Sequence, residues 1–168
     1  MATLETPRLL LRPMRADDAR ELLAVFADPL VMAAFASPPF GPTEMDAWVA
    51  RNLEHQVVHG YGLFTVVLKD TGAVIGDCGL EQMDIGAELG YDLRSDQWNQ
   101  GLATEAATAV RDYAFGTLGL PQLVSLIRVG NDASRRVAEK VGMRLKERSE
   151  RHGIDYWIYA LDAPAATG

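Results

Sequence analysis

Residues 122–129, QLVSLIRV, form a nearly continuous apolar run with a helical pattern on either side. A strand that is apolar on both faces has to lie inside a sheet covered by helices, the arrangement of α/β proteins. The helical pattern ahead of it opens near Gly101 and carries Ala106, Ala109, Val110 and Tyr113 along one face as far as Gly116. The one behind it, DASRRVAEKV, follows Asn131, a residue suited to capping, and stops at Gly142.

The rest of the chain surrounds this β-α unit with antiparallel signals. RLLLRPM reads as a first strand, and ADDARELLAVF as a helix with acids in its first turn. After the break SPPFGP, Thr43 with Asp46 three residues on resembles a capping box, and the helix it opens runs through Met45, Val49, Leu53 and Val57 to Gly60. YGLFTVVL and AVIGDCGL flank KDTG, a hairpin signal, and AELGYDL follows QMDIG. MRLKERSE and IDYWIYAL form a closing strand pair. The order β-α-α-β-β-β-α-β-α-β-β predicts a mixed, largely antiparallel sheet flanked by helices. It forms one domain over residues 1–168, with a frayed tail over 162–168.

Charge narrows the range of partners. The net charge of −7 argues against a general nucleic-acid binder. The charge is also uneven: residues 128–151 hold eight Lys and Arg and four Asp and Glu, a balance of +4, which leaves −11 for the remainder. A basic segment on an acidic body suits an anionic ligand at one place and a cationic one at another. No apolar stretch is long enough for a signal-peptide core or a membrane span, so a cytoplasmic protein without membrane contacts is expected. The lone Cys78 rules out an internal disulfide framework.

The stretch WNQGLATEAA, residues 98–107, places a glycine at the mouth of a helix and small residues after it. The first N–H groups of a helix lack internal partners, and the helix dipole adds partial positive charge there, so a phosphate is favoured. Gly101 removes the Cβ that would keep the ligand away, and Leu102, Ala103 and Thr104 offer the donors. A glycine that only permits a tight turn reads the same way from this stretch alone.

Together, WNQGLA, the segment NDASRRVAEKVGM, the start TPRLLLRPM and AELGYDL resemble the GCN5-related N-acetyltransferases (GNAT). The resemblance is to the branch containing the ribosomal-protein N-terminal acetyltransferases, and it runs over residues 6–161. It implies the GNAT acyl-CoA fold, acetyl-CoA as cosubstrate with no metal, a primary amine as acceptor (a peptide N-terminus or a small molecule), and a homodimer. It further implies that Trp98, Asn99, Gln100, Gly101, Leu102, Ala103 and Thr104 form the diphosphate loop. Tyr91 and Leu93 would give main chain to the pantetheine, Asn131 and Ser134 would stand beside it, and Arg94, Arg135 and Arg136 become candidates for the 3′-phosphate. Two positions depart from the family pattern. Asn99 replaces a customary glycine, and Ala138 stands where many members carry a tyrosine that protonates the departing thiolate.

Transfer to an amine requires a proton acceptor, a role a carboxylate can fill directly or through water. Glu88, at the family's spacing ahead of Gly101, is the candidate, with Glu81 and Asp84 as neighbouring alternatives. Ser134 is the hydroxyl best placed for the CoA sulfur, or else a capping partner within its own helix. His55 and His59 have the i, i+4 spacing of a zinc pair but lack the accompanying glutamate, and GYGLF leads into a strand, not a helix. Cys78 reads as a small core residue, and Tyr156 or Trp157 as walls of the amine pocket. A binding module with acyl-CoA affinity but no catalysis is the competing function, kept open by Ala138.

Overall fold

The computed structural model describes residues 1–165; residues 166–168 of the expected frayed tail lie outside the described residues. Strands β1 (Leu4–Glu5), β2 (Leu9–Pro13), β3 (Leu63–Leu68), β4 (Val74–Met83), β5 (Gly86–Leu93), β6 (Gln122–Arg128), β7 (Arg144–Arg151) and β8 (Ile154–Asp162) form one sheet. Its order is β1-β2-β3-β4-β5-β6-β8-β7. Every neighbouring pair is antiparallel except β5 and β6.

The helices α1 (Ala19–Phe26), α2 (Pro29–Met32) and α3 (Pro42–His59) cover one face, and α4 (Leu102–Gly116) packs on the other. Helix α5 (Asp132–Lys140) follows β6 and joins the α4 side through the buried Ala138. Two apolar clusters result. One is built around Phe64, Leu80, Leu89, Leu123 and α4, the other around Phe26, Met32, Met45 and Val49. The apolar run of β6 is buried at Leu123, Val124 and Ile127.

Local chemistry accounts for the differences from expectation. Helix α3 is capped by Gly41 with Pro42 in its first turn, and no Thr43 side chain caps it. Pro42 supplies a preset φ and lacks the N–H that a cap would have to satisfy. The helix does end at Gly60, in the left-handed conformation with φ of 75°. Val57, placed on the apolar face by periodicity, is 86% exposed; the last turns of α3 meet the sheet through His55 and Gln56 instead, which bond to Gln82 and Leu63. Asp162, assigned to the tail, is the last residue of β8 and pairs with Gln122. The strand at Leu4–Glu5 and the short helix at Pro29–Met32 carry too few residues to show a period.

The consequential feature is the β5–β6 pair. Its parallel register covers only Ala87 with Leu123 and Glu88 with Val124. Beyond that point the strands part, opening the sheet on either side of a wedge.

Candidate active site

Two cavities meet at this wedge. The larger, of about 640 Å³, runs from Tyr91 and Leu93 along the mouth of α4 to α5. Among its lining residues are Trp98, Asn99, Gly101, Leu102, Ala103, Thr104, Asn131, Ser134 and Arg136. The smaller, of about 310 Å³, lies on the α1–α3 side, under Phe26, Phe35 and Trp48. Ala34, Tyr91, Asp92, Arg128, Asn131 and Ser134 line both, so the two spaces share a wall.

Gly101 sits at the N-cap of α4 with φ of 77° and ψ of 9°, a left-handed conformation that glycine adopts without steric cost. Asn99 is also left-handed, at φ 61°. Asparagine is among the few L-residues that tolerate this, which explains how it stands in place of a glycine here. The turn therefore points the free N–H groups of the first helical residues at the larger cavity. Trp98 folds back, its Nε1–H donating to the Leu93 carbonyl at 3.0 Å.

From outside, the turn between β1 and β2 braces the loop. Arg8 Nη1 donates to the Gln100 carbonyl at 2.9 Å, and Arg8 Nε to Glu105 Oε1 at 2.9 Å. Thr6 Oγ1 and the Arg8 N–H both donate to Glu105 Oε2, at 2.6 and 3.0 Å. Burial raises the Glu105 carboxyl, but these hydrogen bonds outweigh it and hold the group below the usual carboxylate range. Sequence reading did not single out this brace, because its partners lie 97 residues apart.

Across the cavity, Asn131 Oδ1 accepts from the Ser134 N–H at 3.3 Å, and its Nδ2 donates to Ser134 Oγ at 3.2 Å. The Tyr91 hydroxyl donates to the Ser134 carbonyl at 2.7 Å, tying α5 to β5. Arg136 and Lys140 line the cavity, placing part of the basic segment where an anion would lie. Three residues proposed for cosubstrate binding are not brought here. Arg94 pairs with Asp96 at 2.6 Å. Arg135 stacks over Trp157 at 4.9 Å and reaches Asp132 at 3.5 Å. Gln100 has its carbonyl turned to Arg8.

Glu88 lies at the apex of the wedge and lines the smaller cavity. Its Oε2 accepts from the Leu126 N–H at 2.8 Å, a donor left over where the ladder stops. Burial pushes the Glu88 carboxyl up, the Leu126 hydrogen bond opposes this, and Glu81 and Asp92 add to the rise, leaving it at about 8. Glu81 lines the same cavity. Asp84 does not: it is ion-paired with Arg151 at 2.7 Å on the surface. Ala138 is fully buried in the core. Cys78 is likewise buried, and burial raises its thiol. His55 Nε2 accepts from the Gln82 N–H at 2.9 Å, and its ring packs tilted against His59, centroids 4.4 Å apart.

A sheet split at one parallel pair, with a helix mouth opening on the split, is matched by known proteins. The family model described as "Acetyltransferase (GNAT) domain" matches residues 8–144. This chain belongs to the GNAT acetyltransferase family. N-acetyltransferase p20 of Bacillus licheniformis is 29% identical over 96% of both chains. The crystal structure of an acetyltransferase from Agrobacterium tumefaciens superposes with a TM-score of 0.84 at 32% identity, covering 96% of this chain and 94% of that one. RimL, the ribosomal L7/L12 alpha-N-protein acetyltransferase solved with coenzyme A, has the same fold at a TM-score of 0.82 and 19% identity, covering 98% of this chain and 100% of that one. The GNAT family uses acetyl-CoA, and the chain is an acetyltransferase. No helix among the described residues is long and apolar enough to cross a membrane.

Proposed function

We propose that the chain transfers an acetyl group from acetyl-CoA directly to a primary amine, with the cosubstrate in the larger cavity and the amine in the smaller. The observation carrying this reading is the shared wall at Tyr91, Asp92, Asn131 and Ser134, which lets groups from the two cavities meet. The larger cavity fits the cosubstrate's chemistry: backbone donors of Leu102, Ala103 and Thr104 for the diphosphate, cationic Arg136 and Lys140 for phosphate charge, and an apolar flank at Leu30, Val31 and Val137 for the pantetheine arm. Acetyl-CoA supplies the thioester carbonyl that the amine attacks.

Glu88 takes the proton that the amine gives up as the C–N bond forms. Its proton affinity, at about 8, matches that of an α-amine, and an alkylamine, at about 10, loses affinity as the C–N bond forms, so the Glu88 carboxylate can take the proton of either. Its hydrogen bond to Leu126 fixes the carboxyl at the apex in both protonation states. Ser134 and Asn131 stand beside the departing sulfur, where the hydroxyl and amide orient a water that relays to the thiolate the equivalent of the proton the amine gave to Glu88, leaving the carboxylate free again. Ala138, in the core, takes no part.

An acceptor screen tests this reading. With acetyl-CoA and a panel of small amines and short peptides with free N-termini, release of free thiol is expected with at least one acceptor. Coenzyme A binding without thiol release across the panel would replace the enzyme with an acyl-CoA-binding module.

A further inference from the structure

We propose that the smaller cavity is built for an amine carrying a second cationic group, and that Asp77 and Asp92 together hold that second group while the reacting amine stands at Glu88. The proposal rests on the acetyltransferase reading above and names the class of acceptor.

The register of β4 with β5 sets Asp77 directly opposite Asp92, Gly79 opposite Gly90, and Glu81 opposite Glu88. Residues two and four apart on a strand share a face, so both carboxyl pairs stand on one face with a glycine pair between them. All four carboxyl groups line the cavity. Acids directly opposite each other weaken a sheet, so packing alone gives no reason for two such pairs in succession.

Asp77 is the most telling of the four. It is only 1% exposed, and no donor among the described residues reaches its carboxyl oxygens, so its one hydrogen-bonding partner is the facing Asp92 carboxyl, and only when a proton lies between the two. A buried acid whose one partner is another acid is costly unless a proton or a cation joins them. Burial and the facing Asp92 push the Asp77 carboxyl far up, and burial raises Asp92 as well, so the empty pair holds a shared proton. An ammonium group replaces that proton and offers several N–H donors to both side chains. The cation in the same lining, Arg128, is directed elsewhere, its Nη1 donating to the Ala33 carbonyl at 2.9 Å.

The space between the pairs is also suited to this acceptor. A Cβ built at Gly90 would meet nothing closer than Glu88 Oε1 at 3.9 Å, so the floor is open on the β5 side, whereas Gly79 on β4 lies against the Gly62 carbonyl and Leu63 backbone. Asp92 lies four residue steps along β5 from Glu88, roughly 13 Å between their Cα atoms at about 3.3 Å per residue. A short aliphatic chain with an amine at each end bridges that gap, and Phe26, Trp48 and Tyr156 in the lining cover such a chain. The volume of about 310 Å³ suits a small molecule.

The test compares spermidine and 1,4-diaminobutane with 1-aminobutane, by thiol-release kinetics and by calorimetry on the CoA-loaded protein. In the wild type, kcat/KM for at least one polyamine should exceed that for 1-aminobutane tenfold or more. Asp77→Asn and Asp92→Asn should each cut that ratio at least fivefold and weaken polyamine binding in calorimetry. Circular dichroism identifies folded variants, and either variant alone carries the comparison. Equal use of mono- and polyamines, or a ratio unchanged in a folded variant, overturns the subsite and leaves the acetyltransferase reading standing. If the wild type binds coenzyme A but acetylates nothing, that reading fails. Calorimetry then decides the subsite by itself, and polyamine binding indifferent to both variants overturns it.

Discussion

Glu88 accepts the backbone N–H of Leu126 across the point where β5 and β6 separate, at 2.8 Å. One carboxyl thereby satisfies a donor that the interrupted ladder would leave bare and lines the smaller cavity. These two roles can be separated. Glu88→Gln keeps an acceptor oxygen for Leu126 and removes the base. Turnover near pH 7 should fall by about 10²-fold, within the usual range for general-base catalysis, while the melting temperature holds or rises, since the buried ionisable group is gone. Glu88→Ala should lose the activity and also about 1–3 kcal/mol of stability, because the Leu126 donor is orphaned. Equal melting temperatures for the two variants would contradict the structural half of this account.

The raised carboxyls have a thermodynamic consequence. Glu88, Asp77 and Asp92 bind protons more tightly in the folded protein than in the unfolded chain. Their stabilising effect is therefore complete below the unfolded values, near pH 4, and is lost as pH rises toward the folded ones, about 8 for Glu88. The melting temperature should fall between pH 5 and pH 8. Asp92→Asn should flatten that fall and raise the melting temperature at pH 8. A wild-type melting temperature that climbs over this interval would show the carboxyls to be ordinary.

At the loop, Gly101→Ala should be destabilising by about 1–2 kcal/mol. A residue with a Cβ resists a φ of 77°, although the nearest neighbour, Arg8 Nη2 at 3.5 Å, leaves room for it. Gly101→Asn should cost less than Gly101→Ala, since asparagine tolerates this region. Differential scanning calorimetry on the two variants checks the order.

The brace behind the loop should act on cosubstrate binding. Removing the carboxylate with Glu105→Gln loosens the hold of Arg8 and Thr6 on the turn. The KM for acetyl-CoA should rise about tenfold while the KM for the amine changes little. A rise confined to the amine would show that the brace serves the other cavity.

Local signals made much of the site legible in the sequence. Gly101 and Asn131 are turn and cap chemistry, read from a few neighbouring residues, and the apolar run of β6 fixed the sheet's interior. Glu88 came from spacing within the family resemblance. The Asp77–Asp92 pair did not stand out, because it depends on register. Yet the register was within reach: a two-residue turn at Asp84 and Ile85 pairs Met83 with Gly86 and carries 77 opposite 92. Arg94 and Arg135 went the other way. Neither lines the larger cavity, and each pairs with an acid close in sequence, Asp96 two residues on and Asp132 three residues back. Thr43 had the pattern of a cap, but Pro42 moved the helix start to Gly41.

A crystal structure with coenzyme A tests the central claim most directly. The diphosphate should lie within hydrogen-bond reach of the Leu102, Ala103 and Thr104 amides, with the thiol at the wall formed by Tyr91, Asp92 and Ser134. Density for the ligand away from the cleft between Gly101 and the helix after Asn131 would contradict the assignment of both cavities.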